Sequence, residues 1–213
     1  MSVLQPLGPD LWEVTADAPL GALRSPVRSV IARLPEGLWV HSPIPLTPAL
    51  ADAVEAVGPI AHLVSPNHSH YLFLPEWQQR FPDARVWRPQ MLNTSEALFE
   101  GIDQQTIHGV PKMEECVFLH RASKTLIVTD LFLNVRTHPN WMTRAAFGML
   151  GAYGRPKQAF LWRWRTTDRK AARESLETIL RWEFSQITVA HGEIVQEAPA
   201  EVLRATCAWM LAP

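Results

Sequence analysis

Leu63-Val-Ser-Pro-Asn-His-Ser-His-Tyr-Leu-Phe-Leu74 is the stretch on which the reading of this chain turns. It reads as an apolar strand that runs into a loop carrying two histidines one residue apart, followed by a helix. In open α/β sheets, sites gather at strand ends because the loops converge there. Imidazole nitrogen suits zinc or iron, and a carboxylate adds charge or bridges two ions. A His-x-His step in extended chain can turn both rings to one side. His108, Asp130 and His191 occupy similar settings, each at or just past the end of an expected strand. His68, His70, His108, Asp130 and His191 are therefore the candidate metal ligands. Each has a plainer reading beside it. His68 and His70 could cap the next helix, His108 could sit in an Ile-His-Gly turn, and His191 could be an ordinary strand-end residue. Asp130 follows an apolar run, and a buried carboxylate needs a partner, which a metal or a hydrogen-bond cluster would supply. His41, His62, His120 and His138 are assigned to structure or surface.

Working outward, the N-terminal half has a strand–helix–strand rhythm. Leu11 to Val14, Ser29 to Leu34 and Leu38 to His41 read as strands, with a turn at Pro35-Glu-Gly37. Thr47 caps a helix with Pro48 at its first position, and Gly58-Pro59 ends it. Ala61 to Val64 is nearly all apolar, as in a central strand covered on both faces. A short helix over 75–81 and a strand over 84–87 follow. Cys116 to His120 and Thr125 to Thr129 flank Arg121-Ala-Ser-Lys124 as a hairpin. The remaining expectations are helices over 140–150, 168–184 and 200–210 and a strand over 187–190. Trp162-Arg-Trp-Arg165 is expected to be a strand with tryptophans inward and arginines outward; the other reading is that its arginines hold an anion. One α/β domain spanning residues 1–213 is the simplest organisation.

Composition sets further bounds. Apolar content of 47% with 19% charged residues is that of a globular chain able to bury a core. A net charge of −1 gives no reason to expect nucleic acid or an acidic membrane as partner. Cys116 and Cys207 form no spacing pattern and read as buried thiols, which fits a reducing compartment. No signal peptide and no membrane-spanning run is visible, so the cytoplasm is the expected location.

Three segments carry a more specific resemblance: Leu7-Gly-Pro-Asp-Leu-Trp-Glu-Val14, Leu38-Trp-Val-His-Ser-Pro-Ile-Pro-Leu-Thr47, and Ser65-Pro-Asn67 followed by Leu72-Phe-Leu-Pro-Glu-Trp77. Through them the chain resembles a bacterial branch, described as a domain of unknown function, of the metallo-β-lactamase-like superfamily of metallo-hydrolase/oxidoreductases. The resemblance implies a four-layer αββα sandwich with a metal site at one edge between the sheets. The superfamily's first motif, Thr-His-x-His-x-Asp-His after a strand, is broken here. With Ser65 on the Thr place, Pro66 falls on the first ligand, His68 on the second, His70 on the aspartate and Tyr71 on the last histidine. With His68 as first ligand, His70 is the second, and Leu72 and Phe73 replace Asp and His. The first register is preferred because the strand then matches. The superfamily's later ligands match His108, Asp130 and His191-Gly192.

That pattern implies an altered, mononuclear zinc or iron site. Asp130, His108 and His191 would hold the ion, and His70 would be ligand or proton carrier; Asp130 and His70 are the candidate catalytic residues. The substrate would be a small ester, thioester, lactone or phosphoester. A second reading is a catalytically silent relative that binds a small molecule or a protein partner; a metal-free chain is a separate alternative to the zinc or iron site. A redox role needs further carboxylate ligands that the sequence does not offer.

Overall fold

The computed structural model describes residues 3–20 and 23–212. Two sheets arise from runs of alternating apolar residues. The first contains β1 (Gln5–Gly8), β2 (Leu11–Leu20), β3 (Leu23–Leu34), β4 (Gly37–His41), β5 (Ile60–Val64) and β6 (Arg85–Trp87), side by side in that order. β1 to β4 pair antiparallel, whereas β4, β5 and β6 are parallel. Parallel neighbours need crossovers, and α1 (Pro48–Glu55) and α2 (Leu74–Arg80) supply them; α3 (Pro89–Leu92) follows β6. The Thr47 hydroxyl accepts from the amide of Leu50, so α1 starts at the cap read from the sequence. The second sheet, in the order β10-β9-β8-β7, holds β7 (Ile102–Thr106), β8 (Cys116–His120), β9 (Thr125–Ile127) and β10 (Gln186–Thr188). β10 runs parallel to β9; the other pairs are antiparallel. α4 (Trp141–Met149) follows β9 along the chain.

Side-chain alternation stacks these sheets between helices. Trp39 of β4 points between the sheets, against Phe99 and Phe118 with ring centroids at 5.9 and 5.1 Å. Its neighbours Leu38 and Val40 point the other way, onto Leu50, Val54 and Trp77 of α1 and α2. In the second sheet Phe118 and Ile127 face inward. Val117 and Leu126 face α6 (Arg169–Ile179), α7 (Pro199–Thr206) and α8 (Ala208–Leu211), meeting Leu176, Leu203 and Met210. The layers are αββα, as the resemblance implies. No helix among the described residues is long and apolar enough to cross a membrane.

Several elements depart from the sequence reading. Residues Phe160–Arg165 form a helix, α5, not a strand. In a helix, residues two apart face different sides. Trp162 is accordingly buried while Trp164 is 76% exposed, and Arg165 shares the inner face with Trp162. The Trp162 indole N–H donates to the carbonyl of Asp130 at 2.6 Å, a tertiary bond made from the helix in spite of tryptophan's strand preference. α6 stops at Ile179, and residues beyond it turn so that the Ser185 amide meets the Lys124 carbonyl and leads into β10. The closing helix breaks at Cys207 into α7 and α8. β1 and β7 were not anticipated; β7 is an edge strand whose Asp103-Gln-Gln105 centre hides the apolar signal. Cys116 and Cys207 are free and buried.

His41 ends β4 inside the inter-sheet layer. Its ring stacks on Trp39 at 5.3 Å, and both ring nitrogens lie buried with no hydrogen-bond partner among the described residues. Burial, with a smaller contribution from nearby His70, pushes its pKa down to about 3 from the ordinary 6.5. The unfolded chain therefore binds a proton here that the folded chain refuses, and stability falls as pH drops below 6.5. At pH 5.5 this loss is about 1.4 kcal/mol. Replacing His41 by Phe should flatten that acid limb, read as the difference between urea midpoints at pH 7.5 and 5.5. An unchanged pH dependence in the variant would contradict the buried neutral ring. Trp39→Ala should cost about 3–5 kcal/mol in the same assay; a loss near zero would show that the sheets do not pack around it.

Candidate metal centre

Three loops meet at one edge of the sandwich. β9 and β10 are parallel and in register, with Ile127 beside Thr188, so the loops that follow them leave the sheet together. The first brings Asp130 and the second brings His191. His70 arrives from the other sheet on the loop after β5. That loop is tied across the sheets by the Cys116 amide, which donates to the Pro66 carbonyl at 2.8 Å.

Asn67 shapes this loop and joins it to Asp130. Its side-chain oxygen accepts from the amides of Ser69 at 2.8 Å and His70 at 3.0 Å, an Asx turn. Its side-chain nitrogen donates to Asp130 Oδ2 at 3.0 Å and lies 3.4 Å from Glu115 Oε2. Glu115 in turn accepts from the amides of Thr129 at 2.8 Å and Asp130 at 2.7 Å, which fixes the turn carrying Asp130. Burial, then the Asp130 charge, raise the Glu115 carboxyl to about 7. The His191 loop depends on glycine. Gly192 has φ +105°, and a Cβ there would lie 2.2 Å from the Asn134 carbonyl oxygen. The Asn134 amide donates to the His191 carbonyl at 3.0 Å, closing the contact.

The two imidazoles face the carboxylate from either side. His70 Nε2 lies 3.5 Å from Asp130 Oδ2, and His191 Nε2 lies 3.4 Å from Oδ1. The ring centroids are 5.2 Å apart, and one donor atom from each of the three residues falls within 4.8 Å of the others. Each imidazole is also held from behind. His70 Nδ1 is 2.7 Å from the Ser42 hydroxyl, and His191 Nδ1 donates to the Pro26 carbonyl at 2.7 Å. A carbonyl can only accept, so the hydrogen-bond network assigns the His191 hydrogen to Nδ1. Its Nε2 then faces a carboxylate oxygen, and a cation, proton or metal, must lie between them. Burial opposes charge on both groups. For Asp130, His70 and His191 outweigh it and hold the carboxyl well below the ordinary value. For His191, burial would lower the pKa, but Asp130 outweighs it and the net shift is upward.

This donor set suits a metal ion. Tetrahedral ligands at about 2.0–2.1 Å from zinc lie about 3.3 Å from each other; each imidazole Nε2 stands near that spacing from a different oxygen of Asp130, at 3.5 and 3.4 Å. Two histidines and one carboxylate with Nδ1 held by a second set of groups is a common protein arrangement for zinc or ferrous iron.

The structure does not bring all five candidate ligands together. The chain turns at 67–70 instead of running extended, so His68 and His70 diverge. His68 is exposed and its Nε2 pairs with Glu114 Oε2 at 2.8 Å. His108 is exposed and lines a separate depression with Thr178 and Trp182. Its turn is pinned to α6 and the segment before it: the His108 amide meets the Ser175 hydroxyl at 3.1 Å and the Thr167 amide meets the Gly109 carbonyl at 2.8 Å. His68 and His108 are thus corrected to positions outside the cluster. Asn67, Glu115 and Ser42 were not singled out as site residues. Glu115 had a usable signal, a carboxylate directly before the apolar run Cys116 to Leu119; Asn67 had the Asn-x-Ser pattern of an Asx turn.

A cavity of about 390 Å³ opens beside the three residues. Its walls are mostly apolar and include Val27, Ile44, Leu72, Phe147, Leu161 and Trp162. Size and lining fall in the range of small-molecule sites.

Comparison with known proteins bears on the fold. The model of a family described as a domain of unknown function (DUF4336) matches residues 9–93. No curated protein matches the chain. A metallo-beta-lactamase from Pontibacter korlensis superposes with a TM-score of 0.62 at 12% identity, covering 99% of both chains. The metallo-beta-lactamase from Hirschia baltica gives 0.64 at 12% identity, covering 99% of this chain and 97% of that one. A putative diflavin flavoprotein fragment from Nostoc gives 0.64 at 11% identity, covering 97% and 95%. Sequence identity this low speaks for architecture alone: the chain carries the metallo-β-lactamase fold, with a His/Asp/His cluster at the edge between its sheets.

Proposed function

We propose that His70, Asp130 and His191 hold one divalent metal ion, zinc or iron, and that the adjoining cavity presents a small ester, thioester, lactone or phosphoester to it for hydrolysis. The observation that carries this reading is the pair of imidazole Nε2 atoms facing the two oxygens of one buried carboxylate. Three protein ligands are the number typical of catalytic zinc sites, which keep a position open. A bound ion supplies Lewis acidity toward a carbonyl or phosphoryl oxygen.

The protein's own groups do the rest. Asp130 neutralises charge at the centre. Ser42 and the Pro26 carbonyl fix the two rings from behind, and Asn67 holds the His70 loop and Asp130 in one frame. Both nitrogens of His70 are engaged, one toward Asp130 and one by Ser42, so His70 acts as a ligand and not as a proton carrier. Apolar walls exclude water from the bound substrate, which strengthens every polar contact inside.

Protein expressed with supplemented zinc or iron should carry about one ion per chain by elemental analysis. Asp130→Ala should lose that ion and lower hydrolysis of a panel of chromogenic esters, lactones and phosphoesters at least about 100-fold. His68→Ala and His108→Ala should keep both. Metal-free protein, or metal retained by Asp130→Ala, contradicts the assignment. A stoichiometric ion with no turnover on any substrate would favour the silent binder. Asn67→Ala should weaken metal affinity by about 10–100-fold, as loss of an outer-sphere partner does; unaltered affinity would remove Asn67 from the frame.

A further inference from the structure

The cavity wall holds one cation with nothing opposite it. Arg165 lines the cavity together with Met113 and Trp162. Among the described residues its Nη1 has one hydrogen-bond partner, the Met113 sulfur at 3.2 Å, and its Nε is buried with none. No carboxylate among the described residues lies within ion-pair distance of it. A thioether is a weak acceptor, and a partly buried guanidinium left this way forgoes the strong, two-pronged bonds it is shaped to make. Its neighbour on α5, Arg163, is solvent-exposed and not part of the cavity.

Its place relative to the metal cluster follows from α5. Trp162 touches the Asp130 carbonyl, and Arg165 lies one turn further along the same face. One turn of helix advances about 5 Å. A molecule filling the cavity can therefore meet Arg165 with one end while another part reaches His70, Asp130 and His191, all of which border the same space except where the walls are apolar.

We propose that this cavity takes a small organic monoanion, a carboxylate on an apolar body, with the carboxylate held by Arg165. The inference rests on the proposed function only in taking the cavity as the substrate's, and it names the substrate class. A single guanidinium balances a single negative charge. In the metal-free pocket, where Asp130 is already paired with His191, a phosphate dianion on Arg165 would leave one charge without a partner in an apolar space. The apolar walls take the hydrocarbon or aromatic part, so that hydrophobic burial supplies affinity and Arg165 supplies orientation. Arg165 is thereby a specificity residue and not a catalytic one.

The test uses octanoate and its neutral isostere octanamide as probes, titrated calorimetrically into the full chain. Chelator-treated protein is used first, so that no carboxylate–metal bond contributes and the metal assignment is not at stake. Octanoate should bind at least about ten-fold more tightly than octanamide. Arg165→Gln should abolish that preference while leaving octanamide affinity within about two-fold, which also reports that the pocket is intact. Arg165→Lys should restore part of it. Equal affinities in the wild-type protein, or a preference that survives Arg165→Gln, would overturn the proposal. So would a preference that appears only after zinc is added, since the carboxylate would then be on the metal. Tighter binding of octyl phosphate than of octanoate would overturn the choice of carboxylate.

Discussion

The carboxylate of Asp130 is buried between two imidazoles, and the charge in that space has to be balanced. The Pro26 carbonyl accepts from Nδ1 of His191, which leaves Nε2 aimed at a carboxylate oxygen. Without a metal, a proton fills the gap, and the shifts of Asp130 downward and His191 upward describe that ion pair. On the proposed reading, an ion and a proton compete for one position. Much of the surrounding construction serves this arrangement. Asn67 and Glu115 fix the two turns, Gly192 lets the third loop close, and Arg28 bridges Glu13 and the Val189 carbonyl to hold β3 against the His191 loop.

The broken first motif finds a physical counterpart here. In the preferred register Pro66 stands on a ligand position, and it has no donor atom in its side chain; its buried carbonyl is occupied by the Cys116 amide. Beside it, Asn67 and Glu115 form a buried hydrogen-bond network against Asp130. On the proposed reading, this network is what accompanies a single ion in this chain, with His70 at the register position of the motif's aspartate.

The architecture was legible because it rests on local signals. Val64 and the residues before it read as a covered strand, Thr47-Pro48 as a helix start, and the Arg121 to Lys124 turn as a hairpin; all reflect patterns within a few residues. His70, Asp130 and His191 were legible as strand-end groups. What could not be read was direction. His68 and His70 look equivalent in sequence, but an Asx turn sends one ring to solvent and the other to Asp130. His108 sits in a suitable turn whose orientation is decided by Ser175 and Thr167 far along the chain. α5 was misread for the same reason: the bond from Trp162 to the Asp130 carbonyl is long-range, and alternating tryptophans imitate a strand.

The most direct test of this account is an anomalous difference map from crystals of protein grown with zinc or iron, collected at that metal's absorption edge. The account requires one peak, about 2.0–2.1 Å from Nε2 of His70 and of His191 and bonded to the Asp130 carboxylate. A map with no peak there, or with its peak at His68 or His108, would contradict it.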